Sequence, residues 1–156
     1  MKKLICLTLS LLMLLCAVSA HAELFLVDGT PVSFDPCGAE LYGPDEEAWE
    51  EGVVVCLANA EETLDCWVYV LFDEGLTYEL LAEEDAEDDS LTLFGTTTIN
   101  GVELFYEMYT EDDEQYIEYY YIDEEEDMTV IFSFWYADDA AAQLSGTIMN
   151  TFTLAE

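Results

Sequence analysis

From Glu23 onward the chain contains no lysine, arginine or histidine, although it carries all 36 of the aspartates and glutamates. No carboxylate in this part of the chain can pair with a side-chain cation, so the acids repel one another unless salt or bound cations screen them. A chain with such an excess of charge is often disordered. Here hydrophobic residues make up 53% of the sequence, and the acids occur in runs between apolar segments. This pattern predicts acidic loops around a hydrophobic core.

Both lysines and the histidine lie in an N-terminal segment that is typical of a secretory signal peptide. Lys2 and Lys3 form a short positive region, an apolar run follows from Leu4 to Val18, and residues 20–22 read Ala-His-Ala. The run is shorter than the roughly 20 residues that span a membrane, which disfavours the alternative of a membrane anchor. We therefore expect cleavage after Ala22, which removes the signal peptide 1–22 and releases 23–156 as one secreted, acidic domain.

The absence of side-chain cations from this domain excludes several classes of function. Nucleic acids and anionic membranes are bound through lysine and arginine, so neither is expected as a partner. Serine and cysteine catalysis of the triad type needs a histidine base, and Schiff-base catalysis needs a lysine. Zinc sites with histidine ligands and lysine-bearing phosphate loops are excluded for the same reason. Carboxylate chemistry, the binding of hard cations, and binding without catalysis remain.

The pattern of apolar and turn residues predicts an α+β domain, with a mainly antiparallel sheet of about six to seven strands and flanking helices. Asn100-Gly101 separates two β-type runs, at 93–99 and 102–110. This dipeptide predicts a tight hairpin because both central residues of a type I′ turn need positive φ. The other predicted elements are strands at 31–34, 53–57, 65–72, 115–122 and 128–136, a short helix between Pro44 and Gly52, and helices at 77–85 and 138–150.

Several segments carry a resemblance to a known family, and they occur in the same order along the chain. They are Val32-Ser33-Phe34-Asp35-Pro36, the hairpin around 59–65, the helix that starts at Leu76-Thr77-Tyr78, Ile99-Asn100-Gly101-Val102, Ile131-Phe132-Ser133-Phe134 and Ile148-Met149. Over nearly all of 31–152 this layout resembles the small secreted domains of Gram-positive anaerobic bacteria that share the PsbP-like α/β/α sandwich. The resemblance implies a non-enzymatic accessory or binding protein. Photosystem members of that fold engage partners through basic and histidine residues, which this domain lacks, so no functional residue carries over.

Three cysteines remain in the predicted domain: Cys37, Cys56 and Cys66. An odd number in an exported protein leaves a free thiol or an intermolecular pairing. In the predicted hairpin Leu57 opposes Asp65 and Cys56 opposes Cys66. Opposed strand residues have Cβ atoms about 4.5–5.5 Å apart, slightly longer than a disulfide favours. Cys56–Cys66 is the favoured pairing, and the alternatives are a pairing of Cys37 with either, or three reduced thiols.

Two acidic runs contain the candidate ligands for a metal ion. These weak candidates are Asp85, Glu87, Asp88 and Asp89 in the first run, and Asp123, Glu125 and Asp127 in the second. Calcium loops use six to eight oxygens and a glycine at the sharp bend, and neither run has the Asp-x-Asp-x-Asp-Gly order. The runs are therefore expected to be solvated loops that bind divalent cations diffusely. A dedicated calcium-binding protein is one alternative.

Another alternative is a glycan hydrolase that uses two carboxyl groups, because 36 acids can supply a pair at a suitable distance. Tyr119, Tyr121 and Trp135 fall in predicted strands and are candidates for an aromatic platform that binds sugars. Aromatic residues also favour strands for packing alone. The expected function is a secreted, non-enzymatic binding or accessory domain that engages divalent cations or a cationic protein or peptide. No catalytic residue and no cofactor are expected.

We expect the stability of the domain to rise with ionic strength, because salt screens the repulsion among 36 acids that have no internal partner. The melting temperature should be measured against NaCl and against CaCl₂ at matched ionic strength, and equal gains support diffuse screening. A gain that saturates at micromolar calcium, and that NaCl does not reproduce, would identify a dedicated calcium site instead.

Overall fold

The computed structural model describes residues 24–72, 74–86, 88, 90–111 and 114–155, so the predicted signal peptide lies outside it. The strands are β1 Phe25–Leu26, β2 Val32–Phe34, β3 Glu40–Tyr42, β4 Val53–Ala58, β5 Leu64–Phe72, β6 Leu91–Ile99, β7 Val102–Glu111, β8 Glu114–Asp123, β9 Met128–Tyr136 and β10 Thr153–Leu154. The helices are α1 Glu46–Glu50, α2 Tyr78–Asp85 and α3 Asp139–Met149. None of these three helices is long and apolar enough to cross a membrane.

Seven strands form one antiparallel sheet in the order β3-β4-β5-β9-β8-β7-β6, and β1, β2 and β10 form a small second sheet. The predicted α+β class and the mainly antiparallel sheet are confirmed. The sequence did not reveal β1, β3 and β10, because strands of two or three residues are too short to show an alternating pattern.

Local signals account for the ends of the predicted elements. The side chains of Thr77 and Asp138 accept hydrogen bonds from backbone N–H groups in the first turns of α2 and α3, as N-caps do. Asn100 and Gly101 both have positive φ, at 50° and 85°, which confirms the predicted hairpin between β6 and β7.

One face of the large sheet, here called the core face, packs against α3 and the small sheet. On β9 the buried side chains alternate, and Val130, Phe132 and Phe134 all point to this face. Phe132 meets Phe34 edge-on at 5.2 Å between ring centroids, and Phe152 at 6.1 Å. Aromatic contacts therefore join the large sheet to β2 and to the segment that follows α3.

The described residues cover the opposite face of the large sheet, here called the second face, only near its two sides. Ala48 of α1 packs with Val53 and Cys56 of β4. Leu81 of α2 packs with Phe105 and Tyr120 of β7 and β8. The middle of the second face, where β5, β9 and β8 run side by side, lies between these two covered areas.

The predicted Cys56–Cys66 disulfide is wrong, because the β4–β5 register differs by one residue from the prediction. Leu57 opposes Cys66, and Cys56 opposes Trp67. A shift of one residue turns a side chain to the other face of a sheet, so Cys66 lies on the core face and Cys56 on the second face. Asn59 sets this register, since its side chain accepts hydrogen bonds from the backbone N–H groups of residues 63 and 64. The cysteines at 37, 56 and 66 are free thiols.

We expect alkylation of the unreduced, denatured protein to label all three of these cysteines, because the register keeps Cys56 and Cys66 on opposite faces. In the folded protein Cys37 should react first and Cys66 last, since burial raises the pKa of the Cys66 thiol well above its usual value. Mass spectrometry of the labelled peptides measures the number of labelled cysteines and the order in which they react. A disulfide-linked peptide that joins Cys56 to Cys66 would contradict this register.

Candidate functional site

The uncovered middle of the second face forms a cleft of about 410 Å³. Its lining comes from four neighbouring strands: Asp65, Trp67 and Tyr69 of β5, Ser133 and Trp135 of β9, Tyr116 and Glu118 of β8, and Tyr109 of β7. Cavities of this size are typical of small-molecule and side-chain binding sites. We call this surface the aromatic cleft.

The cleft has room at its centre because a small residue lies between two large ones. Ser133 is the cross-strand partner of Trp67 on one side and of Glu118 on the other. Directly opposed strand residues have Cβ atoms about 4.5–5.5 Å apart, so a short side chain at this position leaves a depression between its neighbours. The Ser133 hydroxyl donates a hydrogen bond of 2.7 Å to Glu118 Oε1, which holds that carboxylate beside the depression.

Glu118 is held in place by neutral donors only. The hydroxyl groups of Tyr109, Tyr120 and Ser133 donate to its two oxygens at 3.1, 2.6 and 2.7 Å. Hydrogen bonds to an ionised acceptor are shorter and stronger than those between neutral groups. Because residues 24–155 contain no side-chain cation, these bonds orient the carboxylate without neutralising its charge.

Asp65 is the second acid in the lining. Its Oδ1 atom accepts hydrogen bonds from the Tyr42 hydroxyl at 2.7 Å and from the backbone N–H of Cys66 at 2.9 Å. The cleft therefore contains two carboxylates, both positioned by donors that carry no charge.

Aromatic rings form most of the remaining lining. Tyr109 and Tyr116 stack across two strands, with ring centroids 5.0 Å apart and planes 3° from parallel. The ring centroids of Trp67 and Tyr69 are 6.4 Å apart. Trp67 is 37% exposed, so part of its surface faces solvent. The faces of such rings carry negative electrostatic potential and attract cations.

A pair of carboxyl groups lies behind the cleft, under the end of α2. Glu107 is the cross-strand partner of Glu118, and it shares the Tyr120 hydroxyl with it. Asp85, the last residue of α2, is only 8% exposed. Burial, together with the charges of Asp85 and Glu118, raises the pKa of Glu107 to about 7. Asp85 Oδ2 is buried without a hydrogen-bond partner among the described residues. Burial also raises the pKa of Asp85, and a proton shared with Glu107 would supply the missing hydrogen bond.

The two described members of the first run of candidate metal ligands, Asp85 and Asp88, do not lie together in one site. Asp85 faces the sheet, whereas Asp88 is exposed and accepts a hydrogen bond of 2.8 Å from the Ser90 N–H. Hydrogen bonds from the hydroxyl group and the backbone N–H of Ser90 lower the pKa of Asp88. Glu87 and Asp89 lie outside the described residues.

The second run forms the turn between β8 and β9, and its carboxylates stabilise the backbone. Asp123 Oδ1 accepts hydrogen bonds from the N–H groups of Glu125 and Glu126 at 3.1 and 3.2 Å. Asp127 Oδ1 accepts one of 3.0 Å from Gly75, just before α2. Such side-chain to backbone bonds are typical of turns.

The two runs are also far apart, because they lie near opposite ends of α2. The second run meets the chain before the helix, whereas Asp85 is its last residue, and eight helical residues rise about 12 Å. Within the part of the chain that the structure describes, no three acidic or cysteine side chains are placed to hold a metal ion.

The candidate aromatic platform of Tyr119, Tyr121 and Trp135 is not one surface. Tyr119 and Tyr121 point to the core face, where they pack near Phe134 and Phe152 at 6.4 and 6.0 Å. Of the three, only Trp135 lines the cleft.

Most of the residues that line the cleft, including Trp67, Glu118 and Ser133, were not predicted from the sequence. Alternation along β8 and β9 places Tyr116 with Glu118, and Ser133 with Trp135, on one face of each strand. This alternation can be seen in the sequence. The pairing of β5 with β9 cannot, because more than fifty residues separate the two strands.

Comparison with known proteins gives information on the fold. The chain matches no protein-family model and no curated protein. It is similar to a solved crystal structure from Bacteroides thetaiotaomicron VPI-5482, with a TM-score of 0.51 and 16% sequence identity. The match covers 81% of this chain and 46% of that one, so the chain spans less than half of its structural neighbour. At this identity the likeness concerns the fold alone.

We expect Glu107→Gln to stabilise the protein at pH 8 by roughly 1–3 kcal/mol and to have little effect at pH 4. The folded state keeps the Glu107 proton up to about pH 7, whereas the unfolded chain loses it near the ordinary pKa of 4.5, so stability falls as the pH rises between these values. Glutamine cannot ionise, and its amide can donate to Asp85 and accept from Tyr120. Urea unfolding at several pH values measures the difference.

Glu103→Gln is the matched control, since Glu103 lies on the same strand but is exposed. Its stability should follow that of the parent chain at every pH. A Glu107→Gln variant that is less stable than the parent at pH 8 would contradict the buried-pair interpretation.

Proposed function

We propose that this protein is a secreted, non-enzymatic binding domain, and that its aromatic cleft binds a cationic group, such as a lysine or arginine side chain of a partner protein or peptide. The observation that carries the proposal is Glu118, a carboxylate oriented by three neutral donors and surrounded by aromatic rings. Such a site supplies negative potential from both the carboxylate and the ring faces.

The energetics favour a cation that comes from outside the chain. A cation over the face of a tryptophan or tyrosine gains about 0.5–2 kcal/mol, depending on how far it is desolvated. The chain has no side-chain cation of its own beyond residue 21 that could compete for the cleft. The field of 36 acids also raises the local concentration of cationic partners and speeds their approach.

An organic cation suits the lining better than a metal ion does. Calcium requires six to eight oxygen ligands and magnesium a regular octahedron. Five of the eight lining residues are aromatic, and the two acids, Asp65 and Glu118, come from strands that are separated by β9. Lysine and arginine combine a positive charge with an apolar stem, which matches a wall of rings next to a carboxylate.

The lining favours binding over glycan hydrolysis. A hydrolase of this kind needs a protonated carboxyl group that reaches the glycosidic oxygen and a second carboxylate near the sugar ring. The carboxyl group with a pKa near 7 is Glu107, which lies behind the cleft next to Asp85 and does not line it. Asp65 and Glu118, which do line it, already accept hydrogen bonds from neighbouring groups.

The wider assignment rests on the sequence. The pattern of residues 1–22 supports secretion. The order of strands and helices supports a PsbP-like accessory domain, and helices on both faces of the large sheet agree with the layering of that family.

Binding in the cleft should change tryptophan fluorescence, because Trp67 and Trp135 line it whereas Trp49 lies on α1, 63% exposed. The probe is the tripeptide Gly-Lys-Gly with both ends blocked, and the same peptide with an acetylated lysine is the uncharged comparison. We expect the lysine peptide to shift the emission and the acetylated peptide to leave it unchanged. Trp67→Ala and Glu118→Gln should each weaken binding about tenfold or more.

Two controls separate the cleft from general attraction to an acidic surface. Glu103→Gln removes one exposed charge, as Glu118→Gln removes one charge in the cleft, and Trp49→Ala removes an exposed ring elsewhere. Both controls should bind like the parent chain. Equal loss of affinity in Glu103→Gln and Glu118→Gln, or equal binding of the acetylated peptide, would refute a specific cation site.

A further inference from the structure

The large sheet ends at β6, and no strand of the described residues pairs with its outer side. β6 has nine residues, whereas the other edge strand, β3, has three and begins with Glu40. An edge strand exposes a row of unpaired N–H and C=O groups, so proteins usually keep such edges short or protect them with charged residues. β3 is protected in this way, and β6 is not.

No charged residue protects the edge that β6 presents. Residues 90–102, which contain β6 and its turn, include no acid, although 36 of the 156 residues are acidic. A bulge near Leu91 disturbs the start of the strand, which leaves a regular edge from Leu93 to Ile99. This edge is rich in threonine, a residue that favours strands.

An uncharged groove of about 520 Å³ lies beside the edge, on the core face. It exists because α3 packs against β5 and β9 and leaves the core-face side of β6 and β7 open. The groove is lined by residues 96–99 of β6, Tyr106, Met108, Ile117 and Tyr119 of β7 and β8, and Gly146, Met149 and Asn150 at the end of α3. Leu93 pairs with Met108 and is 51% exposed, which adds an apolar side chain next to it.

We propose that β6 is a docking edge for an extended segment of a partner protein, which adds a strand to the sheet and places alternate side chains in the groove. Strand addition gains affinity from main-chain hydrogen bonds and specificity from pockets for every second side chain. Because the groove is uncharged, we expect uncharged side chains at the alternate positions of the docked segment that enter it. The acidic surface around it calls for lysine or arginine on either side of the docked segment.

A second copy of this chain does not fit the edge as well as a basic partner does. Pairing two copies through β6 would bring two sets of 36 acids together without a compensating side-chain cation after residue 21. Like charges at such an interface cost free energy and slow association. The charge pattern therefore favours a different protein as the occupant.

The hairpin register identifies the backbone groups that a docked strand would use. In a two-residue hairpin the flanking residues, Ile99 and Val102, exchange hydrogen bonds with each other. Alternate residues then direct their N–H and C=O groups away from β7, and these are Phe94, Thr96 and Thr98. Proline at such a position removes a free N–H without breaking the bonds between β6 and β7.

The test uses the peptide Lys-Thr-Val-Thr-Val-Thr-Val-Lys and amide hydrogen exchange of the isotope-labelled protein followed by NMR. The background variant Glu118→Gln reduces capture of the lysines by the aromatic cleft. We expect the peptide to slow exchange at Thr96 and Thr98 at least tenfold, with little change at Thr97. Thr98→Pro should weaken binding at least tenfold relative to Thr98→Ala, because alanine keeps the N–H and proline removes it.

The proposal is overturned if the peptide leaves exchange along β6 unchanged, or if Thr98→Pro binds as well as Thr98→Ala. It is also overturned if Thr96 and Thr98 are already protected without peptide, in a way that depends on protein concentration, because a second copy would then occupy the edge. The test of the cleft measures tryptophan fluorescence and the effect of Glu118→Gln, whereas the test of the edge measures amide exchange along β6. The cation-binding proposal and the docking-edge proposal can therefore fail independently.

Discussion

Carboxylates in this protein are bound by neutral hydrogen-bond donors, whereas in most proteins lysine and arginine also bind them. The rest of the structure depends on this difference. Backbone N–H groups bind Asp45 and Asp138 at helix starts and Asp123 in a turn. Hydroxyl groups of tyrosine and serine bind Glu118 in the sheet. These donors satisfy the oxygens but leave the charge in place, so every ordered carboxylate remains a source of negative potential. The fold can exist because most acids lie at exposed positions, where water and salt screen them.

This constraint divides the sheet into two faces with different chemistry. The core face has the aromatic and aliphatic packing around Phe132 and Phe134, and none of the described acids is buried there. The second face collects Asp85, Glu107 and Glu118, each held against a neighbour. A buried carboxyl group without a cation either keeps a proton, as Glu107 does up to about pH 7, or needs several donors. The aromatic cleft lies next to this acidic cluster, which is why we propose an external cation as its ligand.

Local chemistry made much of the fold predictable. The alternation on β9, the Asn100-Gly101 turn and the Thr77 and Asp138 caps each depend on a few neighbouring residues, and each is confirmed. The errors concern the relation between elements. The predicted Cys56–Cys66 disulfide was wrong because the loop after Asn59 shifts the β4–β5 register by one residue. The predicted aromatic platform was wrong because the pairing of β8 with β9 places Tyr119 and Tyr121 on one face of the sheet and Trp135 on the other.

The sequence by itself determined the excess of carboxylates, the absence of basic side chains after residue 21, and the order of the main strands and helices, because these follow from composition and short-range pattern. Only the tertiary structure decided which strands are neighbours. The pairing of β5 with β9 and of β9 with β8 places Ser133 between Trp67 and Glu118. The position of α3 leaves the groove beside β6 open. Both sites depend on contacts between residues far apart in the chain, and such contacts are set by the packing of the whole core, not by local propensity.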